Sequence, residues 1–88
     1  MEFEILDITH EVLRVLDQVL NLQGQSHHYQ RETPLLGALP ELDSMAVVAL
    51  ISGLEEQFDI VMNDDEISGH LFVNVGTLSD FVALKLAP

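Results

Sequence analysis

Ser44 follows Asp43 at the point where a polar segment of the chain gives way to a long apolar run. In the first turn of a helix the backbone N–H groups lack intrahelical acceptors, and the positive end of the helix dipole favours an anion there. A serine hydroxyl in this position is therefore suited to carry a phosphate group. Asp and Ser are also preferred N-cap residues, because a side-chain oxygen accepts one of the orphan N–H groups. The pair predicts either a modification site or a helix cap.

Hydrolytic chemistry at Ser44 would need a base within hydrogen-bonding reach of the hydroxyl and a third group that orients this base. The histidines of the chain all lie far from Ser44 in the sequence; they are His10, His27, His28 and His70. An unassisted serine hydroxyl is a poor nucleophile. We therefore predict that the protein is not an enzyme and that another protein catalyses any reaction at Ser44.

The charge of the chain is strongly unbalanced, with 15 Asp and Glu against three Lys and Arg, a formal charge of −12 in 88 residues. Because 48% of the residues are apolar, we expect one small globular domain over residues 1–88 with an acidic surface. Such a surface repels nucleic acid and attracts partners with basic patches.

No apolar run approaches the roughly 20 residues of a membrane span, and no signal sequence is evident, so we expect a cytoplasmic protein. The chain has no cysteine, so any reactive thiol must come from a cofactor.

Two stretches have the apolar spacing of helices. Residues 3–20 predict an amphipathic helix, capped at Asp7 or Thr9 if it is shorter, with these inward residues: Ile5, Ile8, Val12, Leu13, Leu16, Val19 and Leu20. Residues 44–57 are apolar on nearly all sides until the acidic end, and a core stripe is predicted at Val48, Ile51, Leu54 and Phe58. A helix of this kind is central to a bundle or exposes an apolar face to a partner.

The segments between and after these helices contain turn signals. Residues 21–41 predict a long loop, held on the core by Leu35, Leu36, Leu39 and Leu42. The adjacent pair His27-His28 is expected to be exposed to solvent rather than to bind a metal. Asp64-Asp65-Glu66 predicts the cap of a short helical turn that extends to about residue 71, and it lacks the spacing of a calcium loop.

The end of the chain predicts a last helix that is capped at Thr77-Leu78-Ser79-Asp80, with Leu78, Phe81 and Val82 facing inward. The only strand-like run, residues 73–75, is too short to make a sheet. The predicted fold class is all-α: a small four-helix bundle of three main helices and one short helix, with a long first loop.

The order Leu42-Asp43-Ser44-Met45, followed by Leu50, Leu54, Glu55-Glu56 and Phe58, resembles the prosthetic-group site and second helix of acyl carrier proteins. In that family an Asp-Ser-Leu motif carries 4′-phosphopantetheine on the serine, and Met45 replaces this leucine here. The resemblance implies that a phosphopantetheinyl transferase attaches the arm from coenzyme A to Ser44, and that the arm's thiol holds acyl groups as thioesters. It also implies that Asp43 contributes to the metal-bearing site of the transferase complex, with the helix cap as its alternative role.

The resemblance further implies that the second helix meets partner enzymes through Met45, Val47, Glu55 and Glu56. For the two glutamates, a solvated surface charge is the alternative role. Many family members have acidic residues where Ala46 and Ala49 stand in this chain, which predicts a more apolar contact with a dedicated partner. The expected partners of this monomer are acyl-CoA or acyl-carrier ligases and acyltransferases.

The longer string at residues 33–48 resembles the acyl carrier proteins of exosortase and exopolysaccharide gene clusters in Gram-negative bacteria, which implies dedicated ligases or acyltransferases as partners; the expected role is in fatty acid or exopolysaccharide biosynthesis. Two other functions stay open from the sequence. One is an aminoacyl or peptidyl carrier that loads an amino acid on the same arm. The other is an acidic helical interaction module that is never modified.

Overall fold

The computed structural model describes residues 5–87, with side chains from residue 7 onward; residues 3 and 4, where the first helix was predicted to begin, lie outside this range. The three α-helices are α1 (Ile5–Leu20), α2 (Ser44–Phe58) and α3 (Val75–Leu86). Short 3₁₀ turns occupy Gln25–His28, Asp64–Glu66 and Gly69–Phe72. The all-α prediction with three main helices is confirmed, but two 3₁₀ turns replace the predicted short fourth helix. Within the described part of the chain, no helix is both long enough and apolar enough to cross a membrane.

Helix α1 is the centre of the bundle, because it packs against both α2 and α3. Its inward stripe is buried as predicted at Ile8, Val12, Leu16 and Leu20, and Val15 joins it. Leu13 and Val19 are half-buried at the edges of the stripe. A helix that is enclosed on two sides needs a wide apolar face, which explains why Val15 is also buried.

The start of α1 contradicts the prediction that Asp7 or Thr9 caps a shorter helix. Both residues lie inside the helix, which already includes Ile5, and the Thr9 side chain is buried. Burial of Ile8 and Val12 stabilises the first turns by more than a single capping hydrogen bond would.

Helix α2 packs on α1 through Leu50, Leu54 and Phe58, while Val48 is 65% exposed. The prediction that Val48 belongs to the core is therefore wrong, and Ile51 is only half-buried. The reason is a close approach of the two helices at Gly53, where a Cβ atom would lie 3.0 Å from Val15 Cγ1. With about 100° of rotation per residue, a helix that turns positions 50, 53 and 54 towards α1 turns position 48 away from it.

The first half of the long loop is fastened to α1 by Asp17. Its carboxylate accepts hydrogen bonds from the Ser26 hydroxyl at 2.7 Å, from the Gly24 N–H at 3.1 Å and from the Ser26 N–H at 3.4 Å. These bonds, that from the Ser26 hydroxyl first, hold the pKa of Asp17 below its ordinary value. The side chains of His27 and His28 are exposed, and no cluster of three or more metal-ligating side chains occurs among residues 5–87.

The second half of the loop pairs with the segment before α3. The N–H groups of Leu35 and Leu36 donate to the carbonyls of Val73 and Phe72 at 3.1 and 2.9 Å, and an isolated antiparallel bridge joins Pro34 to Asn74. Successive side chains of an extended segment point to opposite sides. Leu35 is consequently fully buried, whereas Leu36 is 48% exposed and does not hold the loop on the core as predicted.

The other two predicted anchors of the loop are confirmed: Leu42 is buried, and Leu39 is half-buried against the core. Between them and Leu35 the chain turns at Gly37, whose φ of +87° favours glycine. The Leu35 carbonyl accepts the N–H groups of Ala38 and Leu39 at 3.1 and 3.0 Å, which closes this turn.

Asparagines occupy the N-cap positions of the Asp64–Glu66 turn and of α3, where the sequence predicted Asp64-Asp65-Glu66 and Thr77 as caps. Asn63 precedes the Asp64–Glu66 turn, so the acidic residues form the turn instead of capping it. Asn74 caps α3: its Oδ1 accepts the Thr77 N–H at 2.8 Å. Thr77 is thus the third residue of α3, and its hydroxyl accepts the Asn74 N–H at 3.2 Å. The inward stripe of α3 is confirmed at Leu78 and Val82, with Phe81 half-buried.

Replacing Leu35 by alanine tests how strongly the loop is held. Because Leu35 is fully buried, Leu35→Ala should lower the free energy of unfolding by about 2–5 kcal/mol in urea denaturation. The matched control is Leu36→Ala, which should cost less than about 1 kcal/mol because that side chain is half exposed. Equal losses for the two adjacent leucines would contradict the described pairing of the loop.

Candidate functional site

Asp43 and Ser44 form the N-terminus of α2. Asp43 is the N-cap: its Oδ1 accepts the Ala46 N–H at 2.8 Å, and its carbonyl accepts the Val47 N–H at 2.9 Å. The capping role predicted for Asp43 is confirmed. Ser44 is the first helical residue, and its side chain is exposed to solvent.

Two backbone N–H groups at this helix end keep their hydrogen-bonding capacity. Within residues 5–87, the N–H groups of Ser44 and Met45 donate to no acceptor, whereas that of Ala46 is satisfied by Asp43. Such groups carry the positive end of the helix dipole. An anion bonded to the Ser44 oxygen would therefore meet both N–H donors and a favourable field.

An open groove of about 480 Å³ begins beside Ser44. Its walls come from the loop before α2, from α2 and from the connection to α3, and their apolar side chains are Leu36, Leu42, Val47, Ile67 and Phe72. A second recess of about 390 Å³ continues along α2 and shares Val47 and Ile67 with the first. The Ser44 hydroxyl therefore lies at the polar end of an apolar groove that continues along α2.

No histidine or lysine lines the groove at Ser44. His10 and His27 line a different cavity, and His70 lines a shallow recess near Phe81. The carboxylate that lines it, Asp43, caps α2 through the Ala46 N–H, so no imidazole or amine base stands beside the hydroxyl among the described residues of the groove. The geometry suits a serine that receives a group from another protein.

The connection that forms the far wall of the groove is held by an ion pair. Lys85 Nζ lies 2.6 Å from Glu66 Oε1, and the same oxygen accepts the Asn63 N–H at 3.0 Å. Lys85 also lies over the Phe81 ring, 5.8 Å from its centroid. The hydrogen bond from Lys85, followed by that from the Asn63 backbone, lowers the pKa of Glu66 from its ordinary 4.5. The wall is therefore tied to α3.

The predicted partner-binding residues separate into two groups. Met45 is 81% exposed and Glu56 is also exposed, on the face of α2 that points away from α1. Val47 instead lines the groove. Glu55 is half-buried, and its Oε2 accepts the Met62 N–H at 2.8 Å, so this carboxylate also anchors the chain after α2.

Sequence reasoning missed several residues of this surface. Val48 belongs to the exposed face with Met45, at a helical spacing of three, but the buried residues of this mostly apolar helix have helical spacing too, so the spacing alone does not identify the exposed face. Ile67 and Phe72 line the groove from a segment that has no regular period. No local pattern could have placed them opposite Ser44, because their position depends on the pairing with the first loop.

Of three comparisons with known proteins, the one with solved structures found a match. No protein-family model matches the chain, and no curated protein matches it. A solved structure does match: the solution NMR structure of a holo acyl carrier protein from Nitrosomonas europaea, with a TM-score of 0.85. The two sequences are 47% identical, and the match covers 89% of this chain and 94% of that chain.

The three helices and the exposed serine at the start of α2 define a small helical carrier. At 47% identity over nearly the whole of a solved relative, the chain belongs to the acyl carrier protein family. Its members carry acyl groups and are not enzymes. The predicted acyl carrier function is thereby confirmed.

The ion pair on Glu66 should make stability depend on pH. A carboxylate whose pKa is lowered by folding contributes stability above its unfolded pKa and loses it as the pH falls through the folded value. The stability difference between the wild type and Glu66→Gln should therefore be constant above about pH 5 and shrink below Glu66's ordinary pKa of 4.5. Urea denaturation from pH 7 to pH 3 measures this difference in the free energy of unfolding.

The exposed residue Glu56, which has no ion pair within residues 5–87, provides the control Glu56→Gln. The same pH profile for both variants would contradict the role of Lys85.

Proposed function

We propose that this acyl carrier protein holds its cargo as a thioester on a 4′-phosphopantetheine arm attached to the Ser44 oxygen. The observation that carries the proposal is the exposed Ser44 hydroxyl, next to two N–H groups that lack acceptors among the described residues and at the mouth of an apolar groove. The matching protein from Nitrosomonas europaea is described as a holo carrier, which supports the same state for this chain.

The proposed modification is catalysed by a phosphopantetheinyl transferase. The Ser44 oxygen forms a bond to the coenzyme A phosphorus that bears the pantetheine, the diphosphate bond breaks, adenosine 3′,5′-bisphosphate leaves, and the serine proton passes to a base of the transferase. The N–H groups of Ser44 and Met45 can then donate to the phosphodiester, with a gain of about 0.3–1 kcal/mol at an exposed site. When bound, the arm supplies the thiol that this cysteine-free chain lacks. Because its donor is coenzyme A, we expect the reaction in the cytoplasm. We also propose that the carrier acts as a monomer with a single domain.

The groove favours an acyl cargo over an amino acid. Its walls beside Ser44 present the apolar side chains of Leu36, Val47, Ile67 and Phe72. An acyl chain gains roughly 0.8 kcal/mol for each CH₂ group removed from water, while the charged amine of an amino acid gains nothing from an apolar wall. An aminoacyl or peptidyl carrier is therefore the less favoured alternative.

The outward face of α2 is the proposed contact for partner enzymes. Met45 and Val48 are its exposed apolar residues, and Glu56 lies near its acidic end. Together with Val47 at the groove and Glu55, this face suits a partner with an apolar contact bordered by basic side chains. The resemblance of residues 33–48 to carriers of exopolysaccharide gene clusters supports dedicated ligases or acyltransferases as these partners.

Incubation with coenzyme A, magnesium and a broad-specificity transferase tests the attachment site. The intact mass should increase by one phosphopantetheinyl group in the wild type and not in Ser44→Ala. Ser68→Ala is the matched control, because this exposed hydroxyl lines the same groove and should leave the mass gain unchanged. If the wild type gains no mass where a control carrier is modified, the unmodified interaction module becomes the better account. Loading the modified chain with acyl and aminoacyl ligases then separates the two carrier types.

Two substitutions of Asp43 separate its cap from its proposed role in the transferase complex. Asp43→Asn keeps a good N-cap, whereas Asp43→Ala should cost about 0.5–2 kcal/mol of stability. If the carboxylate helps to hold the metal of the complex, both variants should be modified about tenfold or more slowly, as expected for the loss of a charge-assisted contact. Thermal unfolding and single-turnover modification measure the two effects. Modification of Asp43→Asn at the wild-type rate would restrict Asp43 to capping.

A further inference from the structure

A second cavity lies between α1 and the loop that follows it. Its volume is about 450 Å³, which falls within the range of about 300–1,000 Å³ that is typical of small-molecule sites. It shares no lining residue with the groove at Ser44. The cavity is therefore separate from the proposed attachment site.

Basic and imidazole side chains are grouped around this cavity. Two of the three Lys and Arg residues line it, and so do two of the four histidines; these are His10, Arg14, His27 and Arg31. In a chain with 15 acidic residues, such a grouping of hydrogen-bond donors suits an anionic ligand.

Each arginine is oriented by a carboxylate but retains donors for another acceptor. Arg14 Nη1 lies 3.1 Å from Glu11 Oε1, and Arg31 Nη2 lies 2.8 Å from each oxygen of Asp80. A guanidinium group has five N–H donors, and each of these ion pairs engages one terminal nitrogen. The remaining N–H groups can donate to an oxyanion in the cavity that both arginines line.

The interior of the cavity has an apolar and aromatic part. Leu13 and Tyr29 line it and are both half-buried. The adjacent loop is already ordered, because Asp17 binds the Ser26 hydroxyl at 2.7 Å and the Gln30 N–H donates to Thr33 Oγ1 at 2.7 Å. A ligand would thus enter a preformed site with little ordering cost.

We propose that this cavity binds a small organic anion, with its apolar or aromatic body on Leu13 and Tyr29 and its carboxylate or phosphate group at Arg14 and Arg31. The site is independent of the modification of Ser44 and gives the carrier a second ligand. The carboxylates of Glu11 and Asp80 and the net charge of −12 limit the affinity, so we expect dissociation constants on the order of 1 mM or below.

Titration of the full chain, followed by backbone amide chemical shifts at constant ionic strength, tests the proposal. The probes are benzoate and phenyl phosphate, which distinguish a carboxylate from a phosphate, and benzamide as the neutral analogue. The anions should shift the amides of residues 9–14 and 26–31 and leave those of residues 42–47 in place. Benzamide should bind at least about tenfold more weakly, because it lacks the charge-assisted hydrogen bonds.

Three variants that each remove one positive charge complete the test. Arg14→Gln and Arg31→Gln should each weaken anion binding about tenfold or more. Lys85→Gln is the matched control: Lys85 also forms one ion pair but lies outside the cavity, so binding should be unchanged. Because Arg14 is 75% exposed, its variant keeps the fold even if that of Arg31 does not. Equal weakening in all three variants, or no shift at residues 9–14 and 26–31 with about 10 mM of either anion, would overturn the proposal.

Discussion

The pairing of residues 31–36 with residues 72–76 is the constraint on which the carrier surface depends. Besides the bonds from Leu35 and Leu36, the N–H groups of Val75 and Gly76 donate to the carbonyls of Thr33 and Arg31 at 3.0 and 2.7 Å. This short antiparallel contact joins the segment before Ser44 to the segment that forms the opposite wall of the groove. Loops of such length are seldom rigid without internal packing. Here four backbone hydrogen bonds and the burial of Leu35 hold the first loop, the start of α2 and the groove at Ser44 in one fixed arrangement.

The central position of α1 determines what α2 can offer to other proteins. Because α1 lies between its two neighbours, α2 needs only one apolar face for the core, at Leu50, Leu54 and Phe58. The apolar residues on its other side, Met45 and Val48, are then left exposed in a strongly acidic protein. Their grouping on one helix face supports the contact with partner enzymes proposed above. Of the two interpretations of this helix, a central element and an exposed face, the packing supports the second.

The parts of the fold that depend on local periodicity could be predicted, and the parts that depend on tertiary contacts could not. The stripe of α1 and the cap at Asp43 follow from helical spacing and residue type. Val48 was misplaced because α2 is apolar on most sides, so the sequence does not indicate which face a glycine at position 53 brings against α1. Leu36 was misplaced because its loop was not recognised as extended. The N-cap of α3 was predicted three residues late, at Thr77, because Asn74 was read as part of a strand-like run and not as a cap.

Two of the three basic residues, Arg31 and Lys85, form ion pairs that hold loops of this acidic chain on α3. Arg31 pairs with Asp80 across 49 positions of sequence and holds the first loop on α3. Lys85 pairs with Glu66 and holds the second connection on the same helix. Exposed ion pairs stabilise a protein only slightly in an ordinary background, by about 0–1 kcal/mol. In a small body with a charge of −12, each of these two pairs also places a cation between acidic segments, so Arg31 and Lys85 together hold on α3 the two loops that form walls of the groove. The acidity of the surface and the order of the site are therefore compatible, since Arg31 and Lys85 place their positive charges where the loops meet α3.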